Sequence, residues 1–186
     1  DENTLTMAIE ASKRVLAKAK MTGEDVDYIL FSSQVPEYTF PTNAMFVHDA
    51  IGAHSKAVAI DTNANCAGMT IAIEQAVHYM MGNPFVQRAL VVGSDHLSLV
   101  SNDAACAVIL EKSKEVGFID AAYNAYTANV SKISYPLNGL SQAKSKFVHF
   151  QPFDASFGPE TAARLIKEVA GKNSVSLNEI NAFCFS

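Results

Sequence analysis

Ala57-Val58-Ala59-Ile60-Asp61-Thr62-Asn63-Ala64-Asn65-Cys66-Ala67-Gly68 is a short apolar run, a polar turn and the opening of an apolar-periodic segment that continues to Met81. Read in order it is a strand, a turn and a helix, with Cys66 at the helix start. A helix start leaves backbone N–H groups unpaired and carries the positive end of the helix dipole. Both stabilise a thiolate, which makes Cys66 a candidate nucleophile. The residues alone leave a second reading open, in which Cys66 is a small buried hydrophobe, the commoner fate of a free cysteine.

Upstream, Leu5, Ala8, Ile9, Ser12, Val15, Leu16 and Ala19 recur at helical spacing and predict a helix over 4–20. Thr22-Gly23-Glu24-Asp25 makes a turn, and Val26 to Ser32 reads as a buried strand around Tyr28-Ile29-Leu30-Phe31. A loop over 36–41 leads to a helix that starts at Pro41-Thr42-Asn43-Ala44 and stops at Gly52. Downstream, Gly82-Asn83-Pro84 ends the Cys66 helix, and Arg88 to Val92 is a buried strand closed by Gly93-Ser94-Asp95. Alternating strands and helices predict a parallel α/β sheet covered by helices. Ala104–Leu110 and Val116–Ala121 read as an antiparallel hairpin, and 123–151 as mixed loop.

A shift of 154 positions lays 160–186 over 6–32, with Ala8/Ala162, Lys13/Lys167, Val15/Val169, Lys18/Lys172, Phe31/Phe185 and Ser32/Ser186 identical. The order of helix, acidic turn and apolar strand recurs as well. The expectation is two related α/β halves, the second cut off after its first strand: a first half over 1–121, a connection over 122–158 and the start of a second half over 159–186.

The chain of 186 residues, 49% hydrophobic and 18% charged, has the composition of a globular protein with one substantial core. Its net charge of −5 argues against nucleic acid and anionic membrane as partners. Three widely spaced cysteines, Cys66, Cys106 and Cys184, without a CxxC pair, fit free thiols in a reducing compartment and give no sign of a metal site. No apolar run reaches the about 18 residues of a membrane span, and Asp1-Glu2-Asn3-Thr4 does not open a signal peptide, so the expected location is cytoplasmic.

A strand ending in Asp61, four residues, then Cys66-Ala67-Gly68 opening a helix resembles the nucleophile turn of the thiolase-fold condensing enzymes. The likeness is greatest to β-ketoacyl-acyl-carrier-protein synthase III, supported by Phe40-Pro41-Thr42-Asn43-Ala44, Leu90-Val91-Val92-Gly93-Ser94-Asp95, Asp103-Ala104-Ala105-Cys106-Ala107-Val108-Ile109-Leu110 and the duplicated halves. The resemblance implies a thiolase-like layered α/β fold working as a homodimer. Cys66 would take an acyl group from acyl-CoA or acyl carrier protein, its own N–H helping to hold the oxyanion, before decarboxylative condensation with a malonyl thioester. No cofactor beyond these substrates is implied.

The same resemblance matches Phe40 to a phenylalanine that closes the partner's acyl pocket. It also lays Ser186 on the family's catalytic histidine, which favours acyl transfer without decarboxylation as an alternative. A further alternative is a non-catalytic partner subunit. The family's asparagine would lie beyond Ser186, and residues of a longer chain are expected to be missing around 101–103 and 124–147. His48, His54, His78, His96 and His149 match no catalytic position and read as surface residues. Asp61 and Asp95 read as caps of turns, Met69, Met80 and Met81 as core filler, and Cys106 and Cys184 as inert thiols within strands.

Overall fold

The computed structural model describes residues 2–97, 102–134 and 149–184. They form two compact units, Asp1–Gly117 and Phe118–Ser186. In the first unit, helix α1 (Thr4–Ala19) starts at Asn3, whose Oδ1 accepts the Thr6 N–H at 2.8 Å while Thr6 Oγ1 accepts the Asn3 N–H at 2.8 Å. Leu5, Ala8, Ser12 and Leu16 form its buried stripe.

Strand β1 (Tyr28–Ser32) is buried along its whole length, as its unbroken apolar sequence predicts. It lies between two parallel neighbours, β2 (Val58–Thr62) and β3 (Arg88–Asp95). β4 (Ala104–Glu111) adds antiparallel to β3, which gives the order β2-β1-β3-β4. Helix α2 (Asn43–Ile51) connects β1 to β2, and helix α3 (Gly68–Gly82) connects β2 to β3. Alternation along the strands sorts the core into two layers. Ile29, Phe31, Leu90 and Val92 meet α1 and α2, whereas Tyr28, Leu30, Ala89 and Val91 meet Ala72, Ala76 and Met80 of α3. α2 ends at Gly52, whose φ of +67° is a left-handed conformation that glycine adopts without strain.

The expected hairpin of 104–110 with 116–121 is not formed. β4 takes its ladder from β3, which runs on through Gly93-Ser94-Asp95 to pair with Ala104–Cys106, while Val116 and Ile119 stand 82% and 60% exposed outside any strand. His96 Nε2 lies 3.3 Å from Asp103 Oδ2. Of the stretches 101–103 and 124–147, where residues are expected to be missing, residue 101 and residues 135–147 lie outside the described residues.

The second unit holds a short antiparallel pair, β5 (Ile133–Ser134) with β6 (His149–Phe150), and helix α4 (Phe157–Lys172). Here the repeat reappears in backbone detail. Lys20 and Ser174, 154 positions apart, are both left-handed with φ of 57°. Met21 N–H reaches Leu16 O at 2.9 Å, and Val175 N–H reaches Ala170 O at 2.8 Å. The turn Gly23–Asp25, in which Asp25 accepts the Thr22 N–H, recurs as Leu177–Glu179, in which Glu179 accepts the Ser176 N–H. The strand expected from 180 does not follow within Ile180–Cys184. β1 is a strand because β2 and β3 flank it, and this unit offers no such neighbours among its described residues.

Candidate active site

β1, β2 and β3 all point their carboxyl ends to one edge of the sheet, the edge at which open parallel sheets gather their ligands. The Cys66 turn leaves β2 there. Asn63 Oδ1 accepts the Asn65 N–H at 3.0 Å, and Asn65 takes a left-handed φ of 54°, which asparagine tolerates. The Asn65 carbonyl accepts the Gly68 N–H at 3.0 Å and closes the turn. Cys66 lies two positions before α3 with its thiol exposed, so the reading as a buried hydrophobe does not hold. An isolated bridge joins Ala64 and Cys66 within the turn. The first N–H groups of the fifteen-residue α3, those of Met69 and Thr70 among them, have no carbonyl to bond inside the helix, and Cys66 stands two positions ahead of them.

Gly68 sets the height of that turn over the sheet. A Cβ on Gly68 would lie 2.3 Å from Ser32 Oγ at the end of β1. The first turn of α3 therefore rests directly on β1.

Asp61 and Asp95 bond backbone and loop groups, as their strand-end positions suggest. Asp61 Oδ1 accepts the Ala44 N–H at 2.7 Å, and its Oδ2 accepts the Asn43 N–H at 2.8 Å, so the cap of α2 comes from β2. Asp95 Oδ1 accepts the Ser33 hydroxyl at 2.9 Å and the Gln34 N–H at 2.7 Å. Between these anchors the loop after β1 carries Phe40, 88% exposed. A cleft of about 160 Å³ lies at its base, lined by Phe31, Ser33, Pro36, Asp61, Thr62 and Asn63.

Because Asp61 caps α2, the residue at the cap position itself is left over. Thr42 Oγ1 is buried and has no hydrogen-bond partner among the described residues. Thr42→Val removes that unsatisfied hydroxyl at nearly constant shape and is expected to raise stability by about 1 kcal/mol in urea unfolding. A loss of stability would show that the hydroxyl has a partner.

The other candidates fall elsewhere. His54 pairs with Asp27 at the amino-terminal edge of the sheet, at 3.3 Å, and His78 lies within 3.8 Å of Glu74 on α3. His48 Nε2 lies 3.1 Å from the His54 carbonyl, and of His149 only the backbone is described. Cys106 is in β4 as expected, opposite Gly93, but its side chain is exposed, and Cys184 is exposed outside any strand. Met80 is buried and Met69 packs against the α3 layer, whereas Met81 is 75% exposed and fills no core. Ser186 lies outside the described residues. The residue that sequence reading missed is Asn43, taken only as part of a helix start. Its side chain is fully buried and joins Tyr38 to Asp61.

The profile of the 3-oxoacyl-[acyl-carrier-protein] synthase III family matches residues 60–127, from the end of β2 through the Cys66 turn and β4. The beta-ketoacyl-[acyl-carrier-protein] synthase III of Streptococcus pneumoniae is 32% identical over 150 residues, which is 75% of this chain and 46% of that protein. The chain thus spans about half the length of the curated relatives it matches. Among solved structures, the 3-oxoacyl-(acyl carrier protein) synthase III of Pseudomonas aeruginosa superposes with a TM-score of 0.79 at 18% identity, over 97% of this chain and 59% of that one. The Thermus thermophilus enzyme gives 0.78 at 22% identity, over 97% and 60%. A tetronic acid condensing enzyme gives 0.77 at 22%, over 94% and 58%. These likenesses show a thiolase-like fold, and the sequence match over three quarters of this chain is to the 3-oxoacyl-[acyl-carrier-protein] synthase III family.

Proposed function

We propose that this chain is the nucleophile-bearing part of a condensing acyltransferase. The Cys66 thiolate attacks the thioester carbonyl of an acyl-CoA or acyl carrier protein, the carrier thiol leaves, and the acyl group stays on sulfur. The observation that carries this reading is the exposed Cys66 two positions ahead of the α3 start, whose first-turn N–H groups suit the oxyanion of the tetrahedral intermediate. In the second step a malonyl thioester loses carbon dioxide, and its enolate attacks the acyl-cysteine carbonyl. That bond formation returns the thiolate and releases a 3-oxoacyl product. The sequence relatives are named for this condensation, and they favour it over acyl transfer alone and over a non-catalytic subunit.

The reading includes a homodimer in the cytoplasm. Among the described residues β2 is an edge strand, and its Val58 and Ile60 are exposed, an apolar edge of the kind a second copy covers. Phe40, projecting from the loop beside it, suits the acyl-pocket wall. Three free cysteines fit a reducing compartment, and no described helix is long and apolar enough to cross a membrane.

Intact mass measurement of the full-length protein after incubation with a series of acyl-CoAs tests the first step. The expected result is a gain of one acyl group on the Cys66 peptide, absent from Cys66→Ser. A full-length protein that gains no acyl mass from either donor type would overturn the reading.

A further inference from the structure

The buried side chain of Asn43 ties the Phe40 loop to Asp61 of the nucleophile strand, beside the Asn43 and Ala44 N–H groups that bond the same carboxylate. Asn43 Nδ2 donates to Asp61 Oδ2 at 2.9 Å and to the Tyr38 carbonyl at 2.7 Å, and Asn43 Oδ1 accepts the Tyr38 N–H at 3.3 Å. Both amide hydrogens and the amide oxygen are used. A primary amide is the side-chain group that offers two donors and an acceptor in one plane. Aspartate here would set a second carboxylate against Asp61, and serine has one donor and cannot reach both partners. Tyr38 is also fixed through its ring, which lies 4.9 Å from that of Phe46 on α2. Phe40 follows two residues later at the tip. On the other side Asp61 is the fourth residue of β2, five residues before Cys66.

We propose that Asn43 is a positioning residue that sets the acyl-chain selectivity of the enzyme, by holding the Tyr38–Phe40 segment in register with the strand that delivers the nucleophile. This rests on the acyl-cysteine reading above. Asn43 touches no substrate. It acts through Tyr38 on the aromatic wall and through Asp61 on the strand, so losing it frees the wall while the thiol stays in place.

The test uses full-length wild type, Asn43→Ser, Phe40→Ala and the double variant. It has two readouts: amide hydrogen exchange over 35–42, and Cys66 acylation by straight-chain acyl-CoAs from acetyl to decanoyl. Asn43→Ser is expected to speed exchange of the loop amides by about tenfold, the effect of losing a buried hydrogen bond. It is expected to shift the chain-length profile in the same direction as Phe40→Ala, and to add nothing further in the double variant, since both act on one wall. A uniform fall in acylation at every chain length is what general destabilisation gives and would overturn the proposal, as would additive shifts in the double variant. Wild-type exchange settles the matter even if Asn43→Ser does not fold: a Tyr38 amide exchanging at the rate of an open loop means that Asn43 holds nothing. If wild type gains no acyl group from any donor, the acyl-cysteine reading fails and the selectivity role with it, while slow Tyr38 exchange would still show the clamp itself.

Discussion

Gly68→Ala is expected to lower stability by about 2–4 kcal/mol and to slow acylation of Cys66 in parallel. The direction is opposite to that of an ordinary helix, where alanine gains about 1 kcal/mol over glycine. The new methyl would sit 2.3 Å from Ser32 Oγ, well inside contact distance. Ser32 is buried and its backbone is held in β1 between Thr62 of β2 and Gly93 of β3, so the clash is relieved by forcing its hydroxyl into another rotamer in a packed space or by lifting α3 and the Cys66 turn with it. The clash is specific enough to be reversed. With Ser32→Ala in the same chain the hydroxyl is gone, and the next atom, the Cβ of residue 32, lies at an ordinary 3.7 Å. The double variant is expected to regain most of the lost stability, and urea unfolding of the four proteins measures it. Persistent destabilisation in the double variant would mean that α3 rests on some contact other than Ser32.

The sheet was legible because its strands are of the kind that sequence reveals well. β1 and β3 are unbroken apolar runs, and such runs are stable only between covered faces. Each helix follows a polar stop and shows helical spacing, so existence and order came out correctly, with ends displaced by a residue or two. The left-handed closures at Lys20 and Ser174 show why the repeat could be read through weak identity. Helix length, closure and acidic turn are each fixed by local chemistry, and local chemistry survives when side chains drift. What failed was pairing. Val116–Ala121 has strand composition, but β3 proved long enough to serve all of β4, a non-local fact that no window of sequence contains.

The candidate site was legible in part for the same reason. The spacing from Asp61 to Cys66 and Gly68 predicts a turn into a helix, and the exposed thiol ahead of α3 agrees with it. The clamp was not legible. Thr42 looks like the cap of α2, yet the carboxylate that caps it comes from β2, eighteen positions away from Asn43. A capping oxygen is recognisable in sequence only when it is local, and this one is supplied through the tertiary fold.

At the opposite edge of the sheet, Asp27→Ala is expected to lower stability by about 3 kcal/mol, the result of stranding several partly buried donors at once. Asp27 Oδ2 accepts the N–H groups of Gln87 and Arg88 at 2.8 and 3.0 Å, and Oδ1 faces His54 Nε2 at 3.3 Å. His54 Nδ1 accepts the Lys56 N–H at 3.2 Å, so in the neutral ring the proton sits on Nε2 and is donated to Asp27. One carboxylate thereby joins the starts of β1 and β3 to the segment leading into β2. Burial, the largest single influence, pushes the Asp27 pKa up. The hydrogen bonds from Arg88, Gln87 and His54 together outweigh it and hold the group below the ordinary carboxylate value. A carboxyl whose folded pKa is lowered contributes stability that is fully present above its unfolded value of about 3.9 and is lost as pH falls through the folded value. The gap between wild type and Asp27→Asn, which cannot ionise, should therefore close progressively below about 4. Urea midpoints of the two proteins across that range measure it, and curves that stay parallel into acid would show that the Asp27 charge does not tie the strands together.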